Sequence, residues 1–206
     1  MRRKINSKRR IRLCTKAGIF VMIILTIILG VQKSREHVVE KETPKIDVQL
    51  LSINNYSRPG RKMDQINGIV IHYTANPGST AIQNRNYFEG LKDSHVTKAS
   101  SHFVIGLEGE IVQCIPSWEE AYASNNRNKD TIAIECCHPD ESGKFTRKTY
   151  RSMVNLTAWL CEKYNLKETD VIRHYDVTGK NCPKYFVENE EEWDQFRKDI
   201  KKVLGG

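Results

Sequence analysis

The chain has 206 residues, of which 39% are hydrophobic and 28% charged. These are ordinary values for one soluble domain with a small appendage. They exclude a multi-span membrane protein, a collagen-like chain and a fully disordered one. The formal net charge is +8, but residues 1–16 hold eight of the 33 basic residues and no acidic one, which leaves 25 basic against 25 acidic in the rest. The basic character belongs to the terminus, and a nucleic-acid-binding surface loses its main support.

Residues 17–31 (AGIFVMIILTIILGV) carry no charge. A helix of that length spans roughly 22 Å; extended over 13–32, with Lys16 reaching toward the headgroups, it spans about 30 Å, the thickness of a hydrocarbon core. The pattern is read as a basic cytoplasmic segment (1–16) and a single-pass transmembrane signal-anchor (17–31), with the remainder exported. A cleaved signal peptide, giving a secreted protein, is the alternative, although residues 29–34 (LGVQKS) offer no A-x-A site. Residues 32–50 follow as a tether of mixed charge, and 51–206 as the folded domain, whose first order is expected near residue 45. Six cysteines in an exported chain invite disulfides. Their spacing is no regular framework, Cys136 and Cys137 face opposite sides of a strand, and a domain of this length can build its core without a crosslink, so no essential disulfide is expected.

The apolar run 66–73 (INGIVIHY) reads as a buried strand. Asn76-Pro77-Gly78-Ser79 is a turn, and Ser79 or Thr80 caps a helix over 81–91. Residues 101–107 (SHFVIGL) and 110–115 form a hairpin about Glu108-Gly109. Residues 131–137 (TIAIECC) are a third apolar strand. Met153, Leu156, Leu160 and Tyr164 recur at helical spacing within 149–164. A short strand over 171–174 precedes a last helix over 190–204, with Trp193, Phe196, Ile200 and Leu204 on one face. Strands alternating with helices, one hairpin included, predict an α/β domain with a mixed central β-sheet flanked by helices.

Three segments place a titratable or metal-binding side chain at the end of an apolar strand: His72 in IHYT, Glu135 in IEC, and His174 in RHYD, which runs on to Lys180 and Cys182. A carboxylate in a strand as apolar as TIAIECC is costly to bury without a partner. Imidazole nitrogen and thiolate sulfur are good zinc ligands, and three protein ligands leave a fourth position for water. Taken singly, a strand histidine is more often a packed structural one, and a lone cysteine a buried thiol. His102 could line a cleft or pack; Tyr73, Asn76, Trp118 and Asn125 are candidate contacts to glycan or peptide. His95 and His138 are expected to be exposed, and His37 to lie in the tether.

The segments IHYTANPG, ASSHFVIGLEGEIVQCIP, TIAIECC and RHYDVTGKNCP, in this order and spacing, resemble the zinc-dependent N-acetylmuramoyl-L-alanine amidases of the type 2 amidase family. That family shares a fold with phage lysozyme-amidases and peptidoglycan recognition proteins. The resemblance runs from about residue 52 to 204, and His-x5-Lys-x-Cys-Pro is its most specific part. It implies zinc ligation by His72, His174 and Cys182, a general base at Glu135, and oxyanion stabilisation by Lys180. Some phage members carry a catalytic tyrosine just before the His-Phe of the second strand; here that position is Ser101, which leaves the base role to Glu135. The implied reaction is hydrolysis of the amide between N-acetylmuramic acid and L-alanine of the stem peptide. The expected partners are a peptidoglycan muropeptide as substrate and the membrane through the N-terminal helix, with no nucleic acid, in a monomer. The alternative is a non-catalytic peptidoglycan-binding module of the same fold; Cys182, Glu135 and Lys180 together speak against it.

Overall fold

The computed structural model describes residues 39–205, so the segments expected over 1–16 and 17–31 and the first part of the tether lie outside the described residues. No helix among the described residues is long and apolar enough to cross a membrane. The elements are β1 (Ile46–Val48), β2 (Gly68–Tyr73), α1 (Ala81–Ser94), β3 (Phe103–Ile105), β4 (Ile111–Gln113), β5 (Thr131–Cys136), α2 (Arg147–Tyr164), β6 (Val171–Arg173), α3 (His174–Thr178), α4 (Lys184–Glu188) and α5 (Glu190–Leu204). The strands form one sheet in the order β1-β4-β3-β5-β2-β6. Only the β3–β4 hairpin is antiparallel; every other neighbouring pair is parallel. This is the mixed α/β sheet expected from the sequence.

The period of two in a strand separates the sheet into two faces. Ile69, Ile71, Phe103, Ile105, Ile132, Ile134 and Cys136 enter one core with Met153, Leu156 and Leu160 of α2 and Trp193, Phe196 and Ile200 of α5. Each such aliphatic side chain, taken fully out of water, contributes about 1.5–3 kcal/mol. Val104 and Val112 face the other way, into a smaller core with Ala81, Phe88 and Leu91 of α1. Helix α1 covers β3 and β4, whereas short α3 packs on β6 and β2. His72 and Glu135, which alternate with the main-core residues of β2 and β5, lie on this second face.

Helix starts follow their caps. Thr80 is the N-cap of α1 and forms a capping box with Gln83, while Ser79 instead donates its hydroxyl to the Asn76 carbonyl. Thr146 caps α2 two residues earlier than the periodicity suggested. Gly68 opens β2 where a Cβ would stand 2.7 Å from the Asp170 carbonyl oxygen, so glycine permits the close approach of the chain entering β6.

The tether over 32–50 is corrected in its second half. Val39 is buried in the main core, the Glu42 N–H donates to Asn155 Oδ1 at 2.8 Å, and Lys41 pairs with Glu162. Strand β1 then adds to β4, and the ladder continues through Gln49 and Leu51, whose N–H groups donate to Gln113 and Cys114. The physical reason is the open edge of β4, whose unpaired backbone groups accept a further strand of almost any composition. The described cysteines (Cys114, Cys136, Cys137, Cys161 and Cys182) are all buried free thiols.

Candidate metal centre and catalytic cleft

Parallel register sets three side chains in a row. His72 of β2 lies opposite Glu135 of β5. Across the other edge of β2, Ile71 lies opposite Arg173, the last residue of β6, so His174 follows level with His72. All three stand at the carboxyl ends of neighbouring parallel strands, where open α/β sheets place their ligands.

The turn that presents His174 is held by Arg173. Its backbone N–H donates to Asp176 Oδ2 at 2.8 Å, and its buried guanidinium donates to Asp176, to the Phe186 carbonyl and to Glu190. The strand expected to run through His174 therefore stops one residue earlier, and His174 opens α3. Gly179, at φ +76°, ends that helix and turns the chain back. The Tyr175 N–H then donates to the Cys182 carbonyl at 2.9 Å, which brings the cysteine beside the strand ends.

His72, His174 and Cys182 are all buried, and one donor atom from each lies within 4.8 Å of the others. Cys182 Sγ is 3.8 Å from His72 Nδ1, and the two imidazole centroids are 4.7 Å apart. His174 Nδ1 is out of reach of solvent and has no hydrogen-bond partner. Buried polar atoms are rarely left so; a nitrogen lone pair facing a thiol and a second imidazole fits a metal ion. Burial, helped by the positive charge of Lys180, lowers the proton affinity of both imidazoles, so both stay neutral and can ligate. Burial, with the Glu135 charge adding to it, pushes the Cys182 thiol up to about 12, so metal binding must displace a proton there.

Glu135 is partly buried as a residue, but its Oε2 is inaccessible and unpartnered. Burial lifts its carboxyl to about 8, and the neighbouring Lys180 ammonium pulls the other way. Lys180 itself is exposed, on the loop that returns to Cys182. A cleft of about 660 Å³ begins two residues past His72, lined by Thr74, Asn76, Ser79, Gln83, Asn84 and Tyr87 with no charged group.

The five residues singled out in the sequence thus converge. Others do not. His102 is fully buried and both its nitrogens are engaged: Nε2 with the Glu119 carbonyl at 2.7 Å, and Nδ1 with the Ala133 N–H at 2.9 Å. It has no lone pair left for proton transfer. The Ser101 hydroxyl bonds the Phe103 and Ala133 carbonyls inside the core. His138, expected at the surface, is buried against the Tyr73 ring, because the chain folds back over β2 after Cys137. Asn76 lines the cleft, and Trp118 is exposed on a loop. Asn125, read as a substrate contact, instead meets His174, and its neighbour Ser124 meets His72. Ser124 carried no sequence signal.

Fold and site together define an α/β-sheet protein with a two-histidine, one-thiol donor set and a carboxylate at its strand ends. The family profile of the N-acetylmuramoyl-L-alanine amidases (type 2) matches residues 62–185, which include all five residues, and the chain belongs to this family. It is 34% identical over 174 residues to the N-acetylmuramoyl-L-alanine amidase CwlL of Bacillus licheniformis, with 78% of this chain and 48% of that protein covered. A probable N-acetylmuramoyl-L-alanine amidase of the same organism is 33% identical, with the same coverage. The chain thus spans about half the length of these relatives. Among solved structures, a mutant endolysin from Bacillus subtilis superposes with a TM-score of 0.65 at 25% identity, covering 77% of this chain and 99% of that one.

Proposed function

We propose that this chain is a zinc-dependent amidase that hydrolyses the bond between the lactyl carbonyl of N-acetylmuramic acid and the L-alanine nitrogen of the stem peptide in peptidoglycan. The observation that carries the proposal is the convergence of His72, His174 and Cys182 within 4.8 Å, with Glu135 in the same row. Two neutral imidazoles and one thiol suit zinc better than a hard, oxygen-seeking cation. Bound there, zinc supplies Lewis acidity and makes water nucleophilic near neutral pH.

The side chains divide the remaining work. Glu135 accepts the proton of the attacking water and returns it to the leaving alanine nitrogen. Lys180 supplies positive charge where the carbonyl oxygen becomes negative. The uncharged, amide- and hydroxyl-lined cleft that starts at Thr74, on the chain leaving β2, suits a substrate rich in amides and hydroxyls. For location, the basic segment 1–16 and apolar run 17–31 support export with a retained membrane anchor.

The test is incubation of the purified protein with cell walls, following newly exposed alanine amino groups and bound zinc. Release of alanine amino groups by the wild type, and loss of both activity and zinc in Cys182→Ser, is the expected result. Wall binding without release would leave a binding module instead. Recovery of a soluble mature protein starting near residue 32 would replace the anchor by a cleaved signal.

A further inference from the structure

We infer that Ser124 and Asn125 are positioning residues of the metal centre: each accepts the Nε2–H of one histidine ligand and so leaves that ligand's Nδ1 lone pair for the ion. The inference rests on the zinc reading above and adds the two side chains that set the tautomers of its ligands.

Ser124 Oγ lies 3.1 Å from His72 Nε2, and Asn125 Oδ1 lies 2.9 Å from His174 Nε2. The opposite nitrogens face the centre. His72 Nδ1 is the atom 3.8 Å from Cys182 Sγ, and His174 Nδ1 is buried without a partner. A neutral imidazole has one N–H and one lone pair. If the proton sat on Nδ1, that nitrogen could not ligate; an acceptor at Nε2 holds the proton on the far side and fixes the ring plane.

The segment between β4 and β5 is shaped so that two consecutive side chains reach two histidines from different strands. Asn128 Oδ1 accepts the N–H of Ala123 at 3.0 Å and of Ser124 at 2.5 Å, closing a tight loop. Asn125 takes φ +54°, the left-handed region, which asparagine enters at lower cost than most residues. The 3-10 turn that begins at Asn125 packs against α3, the helix opened by His174. Ser124 is buried and Asn125 exposed, so water can replace the amide more readily than the hydroxyl.

The experiment measures zinc affinity of the full chain by chelator competition in Ser124→Ala, Asn125→Gly, Ser124→Thr and Asn125→Asp. Glycine suits the positive φ, so Asn125→Gly removes the acceptor without straining the loop. Metal-free melting midpoints of all variants are recorded beside the affinities. Affinity should fall about 10–100-fold in Ser124→Ala and about 10-fold in Asn125→Gly. Ser124→Thr and Asn125→Asp keep an acceptor and should bind within a few-fold of wild type. In the metal-free wild type, ring ¹⁵N shifts of His72 and His174 should report the Nε2–H form. Unchanged affinity in Ser124→Ala and Asn125→Gly overturns the positioning role, as does equal weakening in the acceptor-keeping variants. A wild-type chain that takes up no zinc overturns the centre itself, a separate result read before any variant.

Discussion

On one face of β2 and β5, Ile69, Ile71, Ile132 and Ile134 are sealed against α2 and α5. On the other, one residue further along each strand, stand His72 and Glu135, with an unpartnered carboxylate oxygen and imidazoles kept neutral by burial. The backbone ladder is shared, so the two faces differ only in what their side chains meet. The first face stabilises the sheet by removing apolar surface from water. The second holds polar groups at a cost in desolvation, and the sheet built by the first keeps them in place. Substitutions should therefore separate: stability changes from one face, rate changes from the other.

The largest expected effect is on the polar face. Glu135→Gln should lower turnover about 10²–10⁴-fold, while zinc content is unchanged and the melting midpoint does not fall. Turnover within a few-fold of wild type would falsify the base assignment, and His102, both of whose nitrogens are engaged, could not replace it. Opposite in kind is Ile134→Ala on the apolar face, which should cost about 2–5 kcal/mol in denaturant melts. Its activity per folded molecule should persist; a selective loss of rate with normal stability would erase the distinction between faces.

Lys180→Ala should reduce turnover about 10²–10³-fold, as removal of an oxyanion stabiliser does. Because Lys180 is exposed, stability should not change; a large shift in the melting midpoint would make it structural. Its loss and that of Glu135 need not add, since both act on one transition state.

His102 tests the interior near the site. Burial lowers its imidazole to about 4, against an ordinary 6.5. Between those values the unfolded chain binds the extra proton and the folded chain does not. This contribution to stability is therefore intact above pH 6.5 and lost as pH falls toward 4, by roughly 3 kcal/mol in all. An imidazole resonance of His102 titrating near 6.5 would contradict this. The smallest effect belongs to the start of α1: Thr80→Ala removes the capping hydroxyl and should cost about 1 kcal/mol in denaturant melts.

Much of this was legible in the sequence where a single element carries the signal. Alternation in TIAIECC separates Ile132 and Ile134 from Glu135, and Ser79 and Thr80 mark the start of α1, with the choice of Thr80 as its cap made by the structure. The resemblance of RHYDVTGKNCP to a known family placed Lys180 and Cys182 beside His174, where eight-residue spacing alone is weak. Strand β1 was missed because its residues read as a charged linker. An edge strand asks only for backbone groups to pair with, and composition does not record that.

Periodicity and capping are written in residues one to four apart, so the sequence alone determined which side chains share a face of each strand or helix. Which elements become neighbours was decided by tertiary contacts between distant residues. His72 meets Cys182 across 110 positions and Ser124 across 52, and Asn125 meets His174 across 49. No local pattern encodes those meetings, because they depend on the sheet order β5-β2-β6 and on a loop closed by Asn128. The same holds for the buried ring of His138, which sits in a polar stretch yet is covered by Tyr73. Only the assembled sheet removes water from Glu135 Oε2 and His174 Nδ1, and it is that removal which shifts their proton affinities away from those of ordinary side chains.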